Sequence, residues 1–390
     1  MPAETPRAPR AANRIATIYR FSSSPRLTHV AAFVAAALLA GVAGAQDTTK
    51  VAAAALLNGV ATAHDSSKHR GAAAFFESQE PIEVTLTTNI GKIRGDKGDN
   101  PPWREATLSY MGAEGSLITV PMKARTRGIW RLKMCEFPPL RLNFSGGTSK
   151  GTIFQKLDKP KLVSYCHDTD SYEQYILQEY QLYRVYQLLT PVSHRARLLK
   201  FVYADSAGGK VRARRYAFIM EEPKALADRL GGKVMEQKGA LPGDLESFQD
   251  ALFGVFQYFI GNTDFSEAAL HNVELFFNNE GVAMPIAYDF DFAGAVNARY
   301  ATVDERLAIK NVRQRLFRGY CTDAAAYAKV FALFNEKKPQ IYALYSDSVG
   351  NLMDRGTVKE TLSYFNDFYD TINDKRSAKR LIVESCIARP

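Results

Sequence analysis

The chain has 390 residues, of which 46% are hydrophobic and 11% aromatic. This composition is enough to bury one large core or two modest ones, and it excludes disorder as the default state of the chain. The formal net charge is +9, but the first 45 residues hold five arginines and one acid, so the remainder carries +5. A surplus of this size is ordinary for so long a segment, and it argues against a nucleic-acid partner.

The N-terminal residues have the pattern of a secretory signal peptide. An arginine-bearing, acid-poor stretch precedes the 16-residue apolar run Val30–Ala45, which is shorter than the ~20 residues that span a bilayer. Small residues at Ala43, Gly44 and Ala45 suit a signal peptidase. We expect cleavage after Ala45, a secreted or periplasmic mature chain, and membrane contact that is transient and confined to the leader. The alternative is an uncleaved N-terminal anchor.

Four cysteines follow the leader. They are Cys135, Cys166, Cys321 and Cys386. An oxidising compartment would allow them to pair, and three connectivities are possible. The chain has neither a closely spaced CxxC pair nor an HExxH motif, so a zinc site is not predicted.

Residue patterns predict a flexible linker, a β-rich part and a mainly helical part. Residues 46–74 are rich in alanine, serine and threonine, which is typical of a linker. Residues 75–222 contain short alternating or β-branched runs, among them Ile82–Ile90 and a long hairpin that ends at Met220. Residues 223–390 are predicted to be mainly helical.

Three helices are predicted from apolar spacing at the 3.6-residue period. Leu182, Tyr186 and Leu189 lie on one face of a helix that begins with a possible capping box at Ser171 and Gln174. A second, strongly apolar helix runs from Leu245 to Phe259 and should end at Gly261, and a third marks the C-terminal region. The apolar face of the second helix consists of Leu245, Phe248, Leu252, Phe256 and Phe259.

Three polar residues stand in an order that suits phosphoryl transfer. Asp264 and Asn272 lie in the loop after the apolar helix, and Asp289 follows a predicted hairpin. Because a tight hairpin brings the open ends of its strands together, Asn272 and Asp289 should be neighbours. Phosphoryl transfer needs a carboxylate to orient the attacking hydroxyl, oxygen ligands for Mg²⁺ and a cation for the phosphates.

Three segments resemble motifs of the CotH kinase-like family. Residues 261–266 (GNTDFS) with His271 and Asn272 resemble its catalytic segment, and Tyr288–Gly294 (YDFDFAG) resembles its metal-binding segment. Arg127–Lys133 (RGIWRLK) is similar to that family's Arg-Gly stretch with a following tryptophan. The resemblance covers roughly residues 80–300. It implies an α+β, two-lobed atypical protein-kinase-like fold, with a β-rich N-lobe over 75–222 and a helical C-lobe over 223–390.

The resemblance also implies ATP and Mg²⁺ as cofactors and assigns roles to individual residues. Asp264 would be the base or hydroxyl-orienting residue, and Asn272 and Asp289 would bind Mg²⁺. Asp291 competes with Asp289, because alternation on an extended segment places both carboxylates on one face. The eight-residue separation of Asp264 and Asn272 is longer than in ordinary protein kinases, so residues 265–270 must form an excursion.

The phosphate-side cation is less defined by the sequence. Lys161 precedes a strand that leads into a helix, and Glu179 on that helix could hold it by an ion pair. Lys156, Lys159 and Glu173 are rivals for these two positions. Arg127 could contact phosphate, or could belong to a strand on which its guanidinium stacks on an aromatic ring.

These observations favour a secreted Mg²⁺-dependent phosphotransferase that moves the γ-phosphate of ATP to a hydroxyl of a protein or cell-envelope substrate. One alternative is a catalytically inactive kinase-like module that binds a partner outside the cell. Another is adenylyl transfer on the same fold. Nucleotide is scarce outside the cytoplasm, and the sequence gives no account of its supply.

Overall fold

The computed structural model describes residues 70–144 and 147–388, which all belong to one compact unit. The predicted signal peptide, its cleavage after Ala45 and the linker up to residue 69 lie outside these described residues. The first helix begins at Arg70, so folded structure starts slightly before the predicted boundary at Phe75. No helix among the described residues is both long and apolar enough to cross a membrane.

The described residues form strands and helices in the following order. The strands are β1 (Ile82–Thr88), β2 (Arg104–Met111), β3 (Leu117–Thr126), β4 (Leu140–Asn143), β5 (Lys161–Val163), β6 (Ala196–Asp205), β7 (Val211–Met220), β8 (Gly232–Met235), β9 (Val273–Asn278) and β10 (Ala283–Ala287). The helices are α1 (Arg70–Glu77), α2 (Ile90–Gly95), α3 (Trp130–Met134), α4 (Asp170–Leu189), α5 (Pro223–Leu230), α6 (Ser247–Ile260), α7 (Ala324–Ala343), α8 (Arg355–Asn373) and α9 (Lys375–Ala378). A 3₁₀ turn (Gly350–Leu352) and a π-helical turn (Lys379–Val383) complete the set.

Strands β1 to β7 close into a barrel in the order β1-β2-β3-β4-β5-β7-β6. Neighbouring strands are antiparallel except for β1 and β6, which pair in parallel from Ile82 opposite Leu199 to Thr88 opposite Asp205. Alternate residues of each strand, such as Val84 and Leu86 on β1, are fully buried in the barrel core. Burial of each such side chain contributes ~1.5–3 kcal/mol, which explains why the alternating sequence pattern forms these strands.

A second, smaller sheet has the strand order β10-β9-β8, with all pairs antiparallel. Strands β9 and β10 form the tight hairpin that the sequence predicts, with Val273 opposite Ala287 at its open end. The turn at its other end is closed by Asn278, whose side-chain oxygen accepts from the backbone N–H groups of Glu280 and Val282. The hairpin therefore carries whatever lies at its open end in a fixed register.

The second hydrophobic core is built from helices. Helix α6 is buried along nearly its whole length, and Phe259 stacks on Phe365 of α8 with ring centroids 4.2 Å apart. Helix α4 joins the same core, because Tyr186 stacks on Phe256 at 4.3 Å. This core supports the loop that follows α6 and the segment that follows β10.

The expected fold is corrected by this architecture. The α+β class is right, but a closed seven-stranded mixed barrel with helices is not a two-lobed kinase-like fold. The parallel pairing of β1 with β6 closes the barrel, and these strands are more than a hundred residues apart in the chain. Local alternation predicts that strands exist, but it does not say which distant strands pair.

Two local interpretations are also corrected. Trp130–Met134 forms a short helix, so the Arg127 segment is not a strand. Ser171 and Gln174 form no capping box: helix α4 begins after Thr169, which makes no side-chain cap bond, and the Gln174 side chain accepts from the backbone of Asp354. The open question of cysteine pairing is answered by two disulfides. They join Cys135 to Cys166 and Cys321 to Cys386.

Candidate active site

The open end of the β9–β10 hairpin brings Asn272 and Asp289 together. Asn272 directly precedes β9, and its carbonyl accepts a hydrogen bond of 3.2 Å from the backbone N–H of Tyr288, the residue before Asp289. Both residues have left-handed backbones, with φ of +53° at Asn272 and +65° at Asp289. Such conformations cost energy for residues other than glycine and cluster at functional sites.

Asp264 lies in the loop after helix α6, and local contacts fix its position. The helix ends at Gly261, whose φ is +68°, and a Cβ atom at this position would lie 1.9 Å from the hydroxyl oxygen of Tyr364. Only glycine fits there. Three residues after Gly261, the backbone N–H of Asp264 donates to the side-chain oxygen of Asn262 at 3.0 Å. Gly261 and Asn262 therefore set the direction in which the loop leaves the helix.

The Asp264 carboxylate is held by two side chains. His271 Nε2 lies 2.8 Å from Asp264 Oδ1. The Asn272 amide donates to Asp264 Oδ2 at 3.0 Å and to the Asp264 carbonyl at 2.8 Å. The side chain of Asp264 remains 40% exposed, and each carboxylate oxygen keeps a free lone pair. Asp264 can therefore still accept a hydrogen bond from a substrate hydroxyl.

A second group of acids lies behind Asp289. Asp291 is buried, and its Oδ2 accepts from the Tyr300 hydroxyl at 3.1 Å and lies 3.7 Å from Arg131 Nη1. Glu179 of α4 is only 1% exposed, and neither of its carboxylate oxygens has a hydrogen-bond partner. An unpaired buried carboxylate is costly. We call Glu179, Asp289 and Asp291 the acid cluster.

Burial and mutual repulsion raise the pKa of two members of the acid cluster. Burial and then the neighbouring Asp289 carboxylate raise the pKa of Asp291 to about 7, while Arg131 opposes this. Burial raises the pKa of Glu179 well above its ordinary range, and the carboxylates of Asp291 and Asp289 raise it further. Asp264 also raises the pKa of Asp291, which places it within electrostatic range of the cluster. The four carboxylates therefore act on one another through their charges.

Lys161 lies on the wall of a cleft of about 890 Å³ that reaches the open end of the hairpin. Val273, Glu274 and Tyr288 line the same cleft, as do residues of α5 and β8. The ammonium of Lys161 lies 4.3 Å from the ring centroid of Tyr288. Burial and then Arg127 lower the pKa of Lys161, whereas Glu274 and Asp289 oppose this. The side chain therefore faces the sequence-predicted metal ligand across the cleft edge.

Arg127 is also part of this electrostatic environment. Burial lowers the pKa of its guanidinium, and Asp289 is the group that most favours its charged form. Its Nε is buried without a hydrogen-bond partner. The fold thus brings the seven predicted site residues into one region. They are Asp264, Asn272, Asp289, Asp291, Glu179, Lys161 and Arg127.

One predicted contact does not form. Lys161 and Glu179 make no ion pair, since Lys161 stacks on Tyr288 while Arg131 is the cation that favours the charged form of Glu179. Of the rivals, Lys159 lies 3.9 Å from Asp158, and Glu173 accepts from the backbone of Tyr216. Neither of these rivals lines the cleft.

Sequence reasoning missed two arginines that support the site. Arg131 lies against Asp291 and donates to the carbonyl of Ser164 at 2.7 Å, and the Cys135–Cys166 disulfide ties its helix to the same segment. Arg318 donates to the carbonyls of Thr263 and Phe265, which flank Asp264. Arg131 lies within the RGIWRLK segment and could have been singled out there. Arg318 belongs to no motif.

The donor set suits a hard cation. Within residues 70–144 and 147–388, no three side chains of His, Cys, Asp or Glu are arranged to hold a metal ion by themselves. The predicted set differs in kind, because it combines the amide oxygen of Asn272 with the carboxylates of Asp289 and Asp291. Amide and carboxylate oxygens are the ligands that Mg²⁺ prefers. The carboxylate of Asp289 makes no hydrogen bond or ion pair to a described residue and so keeps its lone pairs for a cation, whereas Asp291 lies against Arg131.

The sequence matches no protein-family model, and a search of curated proteins finds no match.

Proposed function

We propose that this chain is a Mg²⁺-dependent phosphotransferase that moves the γ-phosphate of ATP to a hydroxyl group. The observation that carries the proposal is the convergence of Asp264, Asn272 and the acid cluster at the edge of a cleft that contains Lys161. The similarity of three segments to motifs of CotH-like kinases supports the same reaction. The residues to which we assign this reaction belong to an α+β barrel fold and not to a kinase-like fold.

Asp264 is the residue that would orient the attacking hydroxyl. Its carboxylate is partly exposed, and His271 and Asn272 fix its direction. A fixed carboxylate can accept the proton of the hydroxyl and hold its oxygen in line with the phosphate. Positioning of this kind is a main contribution that a protein makes to phosphoryl transfer.

Asn272, Asp289 and Asp291 would hold Mg²⁺. The two hydrogen bonds that the Asn272 amide nitrogen donates to Asp264 turn its oxygen away from that residue. The carboxylate of Asp289 makes no hydrogen bond or ion pair to any described residue, while its backbone N–H is held by the Tyr183 hydroxyl at 2.9 Å. When bound, Mg²⁺ neutralises the charge of the transferred phosphoryl group.

The cleft beside these residues is suited to a nucleotide. Its volume of about 890 Å³ lies in the range of small-molecule sites. Lys161 supplies positive charge at the cleft wall, which suits the polyphosphate, and Tyr288 offers an aromatic ring at the same wall, while Arg127 acts on Asp289 from outside the cleft lining. The acceptor would be a hydroxyl of a protein or of a cell-envelope molecule.

Transfer of ³²P from γ-labelled ATP to the protein itself or to a secreted-protein fraction tests the proposal. Asp264→Asn and Asp289→Asn should each lower transfer at least ~10²-fold, because they remove the charge that orients the hydroxyl or binds the cation. Asp370→Asn, on the exposed face of α8, is the matched control and should retain wild-type transfer. Transfer that persists in both site variants would end the proposal.

A further inference from the structure

Three strands of the barrel place cationic residues side by side on its outer face. In the strand register, Arg125 of β3 lies opposite Arg141 of β4, and Arg141 lies opposite Lys161 of β5. Their neighbours along the strands, such as Ala124 and Leu162, point into the barrel core. Residues directly opposite in a sheet have Cβ atoms ~5 Å apart, and like charges in such positions are destabilising. The Glu274 carboxylate offsets part of this repulsion, because it is electrostatically coupled to both Lys161 and Arg141, and a bound anion would offset more of it.

Arg125 and Arg141 of this row, and Arg127 two residues after Arg125, have hydrogen-bond donors that no described side chain uses. Within the described residues, Arg125, Arg127 and Arg141 form no ion pair and no side-chain hydrogen bond, and the Nε atoms of Arg127 and Arg141 are buried without a partner. The Arg125 guanidinium lies over the Trp103 ring, 4.6 Å from its centroid, which limits its movement. Three arginines are thus held in place with unused donors.

These arginines line a pocket that is separate from the nucleotide cleft. The pocket has a volume of about 320 Å³, and its wall includes Arg125, Arg127 and Arg141 with Asp99 as its single acid. Arg141 also lines the larger cleft with Lys161, whereas Arg125 and Arg127 do not. Arg127 is electrostatically coupled to Asp289. Through Arg127, the pocket lies within electrostatic range of the acid cluster.

We propose that Arg125, Arg127 and Arg141 form a second anion site, which binds a phosphate group carried by the acceptor. The planar guanidinium groups match the oxygens of a tetrahedral dianion, and three of them exceed the charge of Asp99 by two. The assignment of this phosphate to the acceptor rests on the proposed phosphotransfer function. The existence of the anion site is independent of that function, because it follows from the guanidinium groups that make no ion pair.

Calorimetric titration of inorganic phosphate into the full chain, with Mg²⁺ and a non-hydrolysable ATP analogue at saturation, tests the site. The wild-type protein should bind phosphate under these conditions. Arg125→Gln should raise the Kd for phosphate at least tenfold, which corresponds to about 1.4 kcal/mol. Arg125→Lys should raise it less, because the positive charge remains and only the planar, bidentate hydrogen-bonding geometry of the guanidinium is lost. Lys161→Gln should weaken binding of the ATP analogue but leave the Kd for phosphate within twofold of the wild-type value.

Lys123→Gln is the matched control. Lys123 lies on the same face of β3 two residues from Arg125, but pairs with Glu105 and lines neither pocket. The anion site is overturned if the ATP analogue abolishes phosphate binding, if Arg125→Gln binds as wild type while correctly folded by circular dichroism, or if acetate binds as tightly as phosphate. If the ATP analogue shows no Mg²⁺-dependent binding, the proposed function is overturned instead. The anion site is then tested by titrating phosphate into the protein without the analogue and comparing the wild type with Arg125→Gln.

Discussion

The side-chain amide of Asn272 donates to both the carbonyl and the carboxylate of Asp264, at 2.8 and 3.0 Å. The proposed hydroxyl-orienting residue and a proposed Mg²⁺ ligand are therefore one bonded unit. We expect Asn272→Ala to lower transfer at least ~10²-fold, because Asp264 loses its alignment and the cation loses an oxygen. Parallel measurements of transfer and of Mg²⁺ affinity check this. Unchanged Mg²⁺ affinity would remove Asn272 from the ligand set.

Arg318 holds the loop that carries Asp264. Its guanidinium bonds the carbonyls of Thr263 and Phe265, and burial lowers its pKa while Glu267 opposes this. We expect Arg318→Gln to lower kcat by ~10-fold or more with little change in the Kd of ATP, because only the loop moves. The exposed Arg306, which pairs with Asp304, provides the control Arg306→Gln. A loss of nucleotide binding in Arg318→Gln would contradict a positioning role.

Glu267 makes the stability of the protein depend on pH. The residue is 2% exposed, and burial, followed by the nearby Asp250 carboxylate, raises its pKa from 4.5 to about 8. The folded protein therefore keeps a proton that the unfolded chain releases, and stability falls as pH rises from about 4.5 to about 8. Arg318 opposes the shift, and Asp250, whose own pKa is about 7, acts in the same direction as Glu267.

We expect the Tm of the metal-free protein to be higher at pH 5 than at pH 8, and Glu267→Gln to reduce that difference. One pKa unit corresponds to about 1.4 kcal/mol, so a shift of several degrees is measurable by calorimetry. Glu280→Gln, at the exposed hairpin turn, should leave the difference unchanged. An equal pH dependence in Glu267→Gln and wild type would show that Glu267 titrates normally.

Glu179 is predicted to lower the stability of the metal-free protein at neutral pH. It is a buried carboxylate without a side-chain hydrogen-bond donor, near Asp289 and Asp291, and its pKa is raised well above its ordinary range. Folding at neutral pH must therefore either bury its charge or protonate it. Glu179→Gln removes that cost and should raise the Tm without Mg²⁺, while reducing the additional stabilisation that Mg²⁺ gives to the wild type. Thermal denaturation with Mg²⁺ and with EDTA measures both effects. A lower Tm of Glu179→Gln in EDTA would contradict this account.

The sequence predicts those parts of the site that depend on local structure. Asn272 and Asp289 meet because a tight hairpin has a fixed register, and Gly261 ends α6 because only glycine fits its backbone and the contact with Tyr364. The barrel was not predictable in this way, since its closure depends on the pairing of β1 with β6 across a long stretch of chain. The same limit applies to Arg318 and to the row of Arg125, Arg141 and Lys161, which only the strand register reveals.

Calorimetry of ATP binding, with and without Mg²⁺, by the wild-type chain and Asp289→Asn tests the central claim most directly. If the acid cluster holds the cation beside the nucleotide, the wild type should bind ATP much more tightly with Mg²⁺, and Asp289→Asn should lose most of that difference. ATP binding that is the same with and without Mg²⁺, or that Asp289→Asn leaves unchanged, would contradict the account.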